Sequence, residues 1–89
     1  MTRTKTWTVE LVIDEDEDET QAFAALSADS EMRVHGGGLA RRNPHDPVVP
    51  EIGEELAAAR ALADLSRQLL GVAASAIEFR EGRPVSFIR

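Results

Sequence analysis

Val34-His35-Gly36-Gly37-Gly38-Leu39-Ala40-Arg41-Arg42-Asn43-Pro44, and the segment Pro50-Glu51-Ile52-Gly53-Glu54-Glu55-Leu56-Ala57-Ala58-Ala59-Arg60-Ala61-Leu62 that follows a proline-rich turn, decide the fold. A glycine inside a strand loses backbone entropy and packs nothing, so three in succession need a reason. Alternation supplies one. With Val34 pointing inward, Gly36, Gly38 and Ala40 share its face and leave a groove of missing side chains that another backbone can approach closely. The facing element is the Ala-rich segment, whose Ala57, Ala58, Ala59, Ala61, Ala63, Ala73, Ala74 and Ala76 are also small. Glycines ahead of an Arg-Arg pair also invite a phosphate-cradle reading. Phosphate loops, however, set their glycines between a strand and a helix N-terminus, whereas Leu39-Ala40-Arg41 continues the strand and the helix begins only near Pro50.

Working outward, Thr6 to Asp14 alternates, with Trp7, Val9, Leu11 and Ile13 on one face and Thr6, Thr8, Glu10, Val12 and Asp14 on the other. That pattern predicts a half-buried strand. Thr20 to Ser27 repeats it, turning Ala22, Ala24 and Leu26 toward a core and Gln21, Phe23 and Ala25 away. Between the two, Asp14 to Glu19 is an unbroken run of six acids, read as a solvated turn because neighbouring carboxylates repel and bury nothing apolar. Ala28-Asp29-Ser30-Glu31 is a second polar turn, and Met32 to Arg41 is the third strand. Asn43-Pro44-His45-Asp46-Pro47 ends it, since proline cannot donate to a ladder.

Pro50 suits the first helical position, and Glu51, Glu54 and Glu55 complement the positive end of the helix dipole. Ile52, Leu56, Ala59, Ala63, Leu70, Ala73 and Ile77 keep helical spacing, flanked by Leu62, Leu65, Leu69, Val72 and Ala76, which predicts one wide apolar stripe. Arg80 and Gly82-Arg83-Pro84 are stop signals. A helix from Pro50 to Glu81 is ~48 Å long at ~1.5 Å per residue, against ~30 Å for a nine-residue strand. Either it bends or breaks near Gly71, or its second half projects past its own sheet. Apolar residues continue beyond Gly71, so an overhang favours a homo-oligomer. The last residues, Val85-Ser86-Phe87-Ile88-Arg89, are either an edge strand or a disordered tail. The expected fold class is α+β: a three-stranded antiparallel sheet (β-β-β) over about 5–41 packed on one long C-terminal helix over about 50–81, with a tail over 83–89, all in a single domain of 1–89.

Eighty-nine residues make one small core, whose stability is marginal or shared with a partner. The absence of cysteine excludes disulfides and thiolate chemistry and makes a reducing compartment the default. Met1-Thr2-Arg3-Thr4-Lys5 leads into Trp7-Thr8-Val9-Glu10 without the apolar core of a signal peptide, and no apolar run approaches the ~18 residues of a membrane span. A soluble cytoplasmic protein with no membrane partner is expected. Removing the six-acid run from the 16 acidic residues leaves ten, equal to the ten Lys and Arg, so the net charge of −6 resides in one loop.

No motif spells out a reaction. Asp14-x-Asp16-x-Asp18 matches the first three ligand positions of an EF-hand loop, but the sixth position is Glu19 instead of glycine and the twelfth is Ala25 instead of glutamate. His35 and His45, even with Asp46, leave a zinc site short of ligands. Ser27, Ser30, Ser66, Ser75 and Ser86 lack a Gly-x-Ser-x-Gly context. No catalytic, cofactor-binding or metal-ligating residue is therefore assigned, and no cofactor is expected.

Lys5-Thr6-Trp7-Thr8-Val9, the glycine strand ending Leu39-Ala40-Arg41-x-Asn43-Pro44, and Val49-Pro50-Glu51-Ile52-Gly53-Glu54-Glu55-Leu56-Ala57-Ala58-Ala59-Arg60-Ala61-Leu62 together resemble a family of small actinobacterial proteins of unknown function, over roughly residues 4–80. The resemblance implies a three-stranded antiparallel sheet backed by helix, similar to the double-stranded RNA-binding domain (dsRBD-like), and no established activity. This chain departs from the family at Asp14 to Glu19, where members carry a more moderate polar loop, so no loop-based function is transferred.

Two function classes remain. Arg33, His35 and Arg41 alternate on the strand face opposite the glycine groove, and with Lys5 and Arg42 they form a candidate nucleic-acid strip. Duplex RNA, however, is held largely by helix and loop lysines over its phosphates, and this helix opens with Glu51, Glu54 and Glu55, the wrong sign for that task. The same face carries Val12, Phe23, Ala25 and Leu39, a mixed surface that suits self-association. The expected function is a non-enzymatic structural or protein-interaction domain forming a homo-oligomer, a dimer, through Val12, Phe23, Leu39, Ile77 and Phe79. The alternative is a nucleic-acid-binding module using Lys5, Arg33, Arg41 and Arg42.

Overall fold

The computed structural model describes residues 1–84. Strands β1 (Trp7–Glu15), β2 (Glu19–Ala28) and β3 (Glu31–Arg41) form one antiparallel sheet in the order β1-β2-β3, followed by helix α1 (Pro50–Glu81). The fold is α+β, and residues 85–89, expected as either an edge strand or a disordered tail, fall outside the described residues. The β2–β3 hairpin turns on two residues, Asp29 and Ser30, with φ of 54° and 65°. Both lie in the left-handed region that the tight mirror-image hairpin turn requires.

The glycine groove is real. The register sets Ala24 opposite Gly36 and Ala22 opposite Gly38, so the smallest side chains of both strands gather on one face. The helix sits there at backbone distance: a Cβ added to Gly36 would lie 2.5 Å from the Leu65 amide nitrogen and 2.9 Å from the Ala61 carbonyl, and one added to Gly38 would overlap the Ala57 carbonyl and the Ala61 amide. Gly37 faces the other way, and its nearest atom to an added Cβ is 3.9 Å off. The core is Ala22, Ala24, Leu26, Val34 and Ala40 from the sheet and Ala57, Ala61 and Leu65 from the helix, with Leu69 packed against it.

Close seating reverses part of the sequence reading of the helix. The buried row is Ala57, Ala61 and Leu65, at i, i+4 spacing, while Ile52 and Leu56 of the expected stripe stay exposed. A groove without side chains admits only a row that is small where it crosses the glycines, so bulky residues are turned outward. The helix also runs unbroken through Gly71, where an added Cβ would meet nothing within 4 Å. Of the two alternatives, the projecting second half is the one realised: the longest dimension of the molecule is 52 Å, close to the ~48 Å of a 32-residue helix. The helix stops at Gly82, φ 70°, whose N–H donates to the Glu78 carbonyl at 2.7 Å.

Two further expectations are corrected. β1 is not half buried: every one of its residues is exposed. The helix packs along β3 and β2 and scarcely reaches β1, because the glycines that let it approach are on β3. Nor is the acidic run a freely solvated turn. Asp14 and Glu15 end β1, Glu19 begins β2, and only Asp16 to Asp18 turn. The Asp18 carbonyl accepts the Arg42 N–H at 2.8 Å, the Asp18 carboxylate accepts from the Arg42 guanidinium, and Arg41 pairs with Glu19 at 3.0 Å.

Candidate functional site

The most unusual surface follows from where the helix is not. Trp7, Val9, Leu11 and Ile13 point to the helix side of the sheet, opposite Ala28, Leu26, Ala24 and Ala22. Those four β2 partners are buried, yet the β1 residues are 55%, 43%, 37% and 39% exposed. A four-residue apolar strip therefore lies open beside a covered core. It presents on the order of 350 Å², within the range of the largest apolar patch on a soluble monomer, which is often functional.

The residues singled out from sequence fall on two other surfaces. Val12 and Phe23 are paired neighbours on the opposite, open face of the sheet and are about half exposed, with Leu39 one step away and partly covered. Ile77 and Phe79 sit on the projecting helix, where Phe79 is 92% exposed. No charged side chain occurs between Gln68 and Ile77, although much of that stretch faces solvent. The structure thus brings Val12, Phe23 and Leu39 together and leaves Ile77 and Phe79 apart from them. It adds Trp7, Val9, Leu11 and Ile13, which the alternation assigns to one face of a half-buried strand. Their alternation signals a sheet face correctly, and only the position of the helix decides whether that face is covered.

The candidate cationic strip is partly consumed by internal pairing. Arg41 is held by Glu19, and the Arg42 guanidinium donates to the Asp18 carboxylate and to the carbonyls of Asn43, Pro44 and Asp46. Arg42 is thereby the staple that fixes the Asn43–Asp46 turn against the acidic turn. Lys5 and Arg33 make no ion pair among the described residues. A cleft of about 230 Å³ lies beside this staple, lined in part by Glu15, Asp18, Arg42, Val48, Ile52 and Leu56. Among the described residues no three His, Cys, Asp or Glu side chains are arranged to hold a metal ion. No helix among them is long and apolar enough to cross a membrane.

Two carboxylates on the helix mark its two flanks. Asp64 accepts the Gly37 N–H at 2.9 Å, and this bond holds its pKa below the ordinary value of 3.8. Four residues earlier on the same side, Arg60 donates to the Leu39 carbonyl at 2.6 Å. Toward β1 the opposite holds: Glu54 shares a hydrogen bond with the Glu15 carboxyl, which with their mutual repulsion raises its pKa above 4.5.

Comparison with known proteins gives a consistent picture. The family model described as Rv2632c-like matches residues 5–86. The uncharacterized protein Mb1767 of Mycobacterium bovis is 46% identical over 82 residues, covering 92% of this chain and 86% of its own. The uncharacterized protein Rv2632c of Mycobacterium tuberculosis is 44% identical over 82 residues, covering 92% and 87%. The crystal structure of Rv2632c superposes with a TM-score of 0.81 at 41% identity, over 93% of this chain and 98% of that one. With the glycine strand, the alanine helix and their order all inside the matched span, this chain belongs to the Rv2632c-like family.

Proposed function

We propose that this chain is a non-enzymatic structural domain that works as a homo-oligomer. One observation carries the reading: β1 alternates like a strand made to be covered on one face, yet Trp7, Val9, Leu11 and Ile13 stay open because the helix is committed to β3 and β2. Covering that strip removes roughly 350 Å² of apolar surface from water per copy, worth about 9 kcal/mol gross at ~25 cal/mol per Å², before the cost of association. The open-face group Val12, Phe23 and Leu39 and the arm residues Ile77 and Phe79 are further contacts by the same logic. The internal pairing of Arg41 and Arg42 leaves the nucleic-acid alternative with few free cations.

Sedimentation of the full chain at tens of micromolar tests the reading. A dimer or larger particle is expected, converted toward monomer by Val9→Asp. A folded wild-type monomer at that concentration overturns it.

A further inference from the structure

The two edges of the sheet are finished differently. Along β3 the helix leans over the strand, and Arg60 and Asp64 occupy the outward Leu39 carbonyl and Gly37 N–H. Along β1, an edge strand of nine residues, none of the described hydrogen bonds reaches the outer side. Proteins blunt exposed edges with covering side chains, prolines or inward charges; β3 has the first, while Trp7 to Ile13 contains no proline and no charge on its helix-side face.

We propose, building on the self-association above, that β1 pairs antiparallel with β1 of a second copy across a two-fold axis at Leu11, joining two sheets into one of six strands. Overlap and charge set the register: an axis at Leu11 pairs the whole of Trp7–Glu15, whereas one at Val9 or Ile13 leaves four strand residues of each copy unpaired. Directly opposed residues must share a face, so the axis passes through a residue and not between two. An axis at Glu10 would set the two Glu10 carboxylates against each other, and one at Val12 would oppose Glu10 to Asp14. At Leu11 the pairs are Leu11 with Leu11, Val9 with Ile13, Glu10 with Val12 and Thr8 with Asp14, and like charges are nowhere opposed. The same register carries Lys5 toward the partner's Glu17. Each basic N-terminus, Arg3 and Lys5, then runs beside the acidic turn of the other copy, which gives the Asp16 to Asp18 turn a specific counterpart. The occupant is a second copy because the chain carries both halves of this match, as an isologous interface requires. The two bare strips meet as one apolar floor between two helices.

Since the chain has no cysteine, one introduced thiol reports on the pairing. Opposed residues on antiparallel strands have Cα atoms about 4.5–5.5 Å apart, within the ~4.4–6.8 Å a disulfide spans. In mild oxidant Leu11→Cys is expected to form a covalent dimer on the order of 100-fold faster than Glu55→Cys on the helix, given the millimolar effective concentration of a paired residue. A second measurement uses Arg3→Glu with Lys5→Glu. It should weaken the dimer about tenfold at low salt and much less at ~1 M salt, where charges beyond ~3 Å are screened. If the wild type sediments as a dimer but Leu11→Cys links no faster than Glu55→Cys, edge pairing is overturned and self-association stands. Linkage through Ser75→Cys alone has the same meaning and moves the interface to the helix arm. A folded wild-type monomer overturns both.

Discussion

At β3 the helix lies near enough to touch backbone, and at β1 it touches almost nothing. The β3 flank has a seat made by two missing side chains, Gly36 and Gly38, and two side-chain hydrogen bonds that finish the edge, from Arg60 and to Asp64. The β1 flank has four large apolar residues left 37–55% exposed and, at its far end, a carboxyl pair between Glu54 and Glu15. A three-stranded sheet is wider than one helix. Placing the glycines on the outermost strand pulls the helix to that side and leaves the other strand uncovered. The asymmetry of the molecule is thus written into which strand lacks side chains.

The comparison breaks most severely if the seat is filled. Gly36→Val with Gly38→Val drives side chains into the backbone of residues 57–65, and no rotamer avoids main-chain atoms. We expect a loss of more than ~4 kcal/mol, a large share of the stability of so small a domain, and no cooperative thermal transition. Gly37→Ala is the control inside the same triplet. Its Cβ enters open space and its φ is not left-handed, so the change should be neutral or stabilising by about 0.5–1 kcal/mol. Equal damage from both variants, read by thermal denaturation, would remove the seat from the account.

Much of this was legible in the chain. Alternation located three strands, and Gly36 and Gly38 against an alanine segment named the close interface, because period two and missing side chains are local facts. What was not legible depends on lateral placement. The stripe through Ile52 and Leu56 is as good a helical pattern as the row that is buried, and hydrophobicity alone favours the bulkier set. Sterics at the groove select Ala57 and Ala61 instead. β1 departs from its pattern for the same reason: alternation says which face is apolar, not whether a helix reaches it. Arg41 and Arg42 looked free because their partners, Glu19 and Asp18, are more than twenty residues away in sequence and adjacent only through the sheet.

A gentler disturbance opens the finished edge. Asp64→Asn weakens the bond to the Gly37 N–H and should lower the melting temperature at pH 7. The pKa of Asp64 is depressed in the folded state, so its contribution is full above the ordinary value near 3.8 and is lost as pH falls through the lower, folded value. The gap between wild type and Asp64→Asn should therefore stay open down to the ordinary value of 3.8 and close only as pH falls below it. A gap that does not narrow as the carboxylate is protonated in acid would mean that its charge is not what the edge uses. The same variant, with the β3 edge less occupied, should also raise the tendency to form larger assemblies, since two open edges permit chains of sheets.

The smallest expected effect lies on the opposite flank and has the opposite sign. Glu54 has a raised pKa because it shares a hydrogen bond with Glu15 and is repelled by it, with Glu51 and Glu55 adding to the repulsion. A carboxyl that binds its proton more tightly when folded penalises the fold once ionised. That penalty is complete above the raised, folded value and absent below the ordinary value of 4.5. Glu54→Gln keeps a donor for Glu15 and removes the charge, so its melting temperature should exceed the wild type's at pH 7, with the gain fading as pH falls to 4.5. Both groups are solvent-facing, so the gain is small and shrinks in salt. A variant less stable than wild type at pH 7 would show that the helix and β1 are joined at this corner and not held apart, and a gain indifferent to pH would show that the Glu54 charge is not its cause. The opposite pH signatures of Asp64 and Glu54 would otherwise report, from the two flanks of one helix, that it is fastened to β3 and merely adjacent to β1.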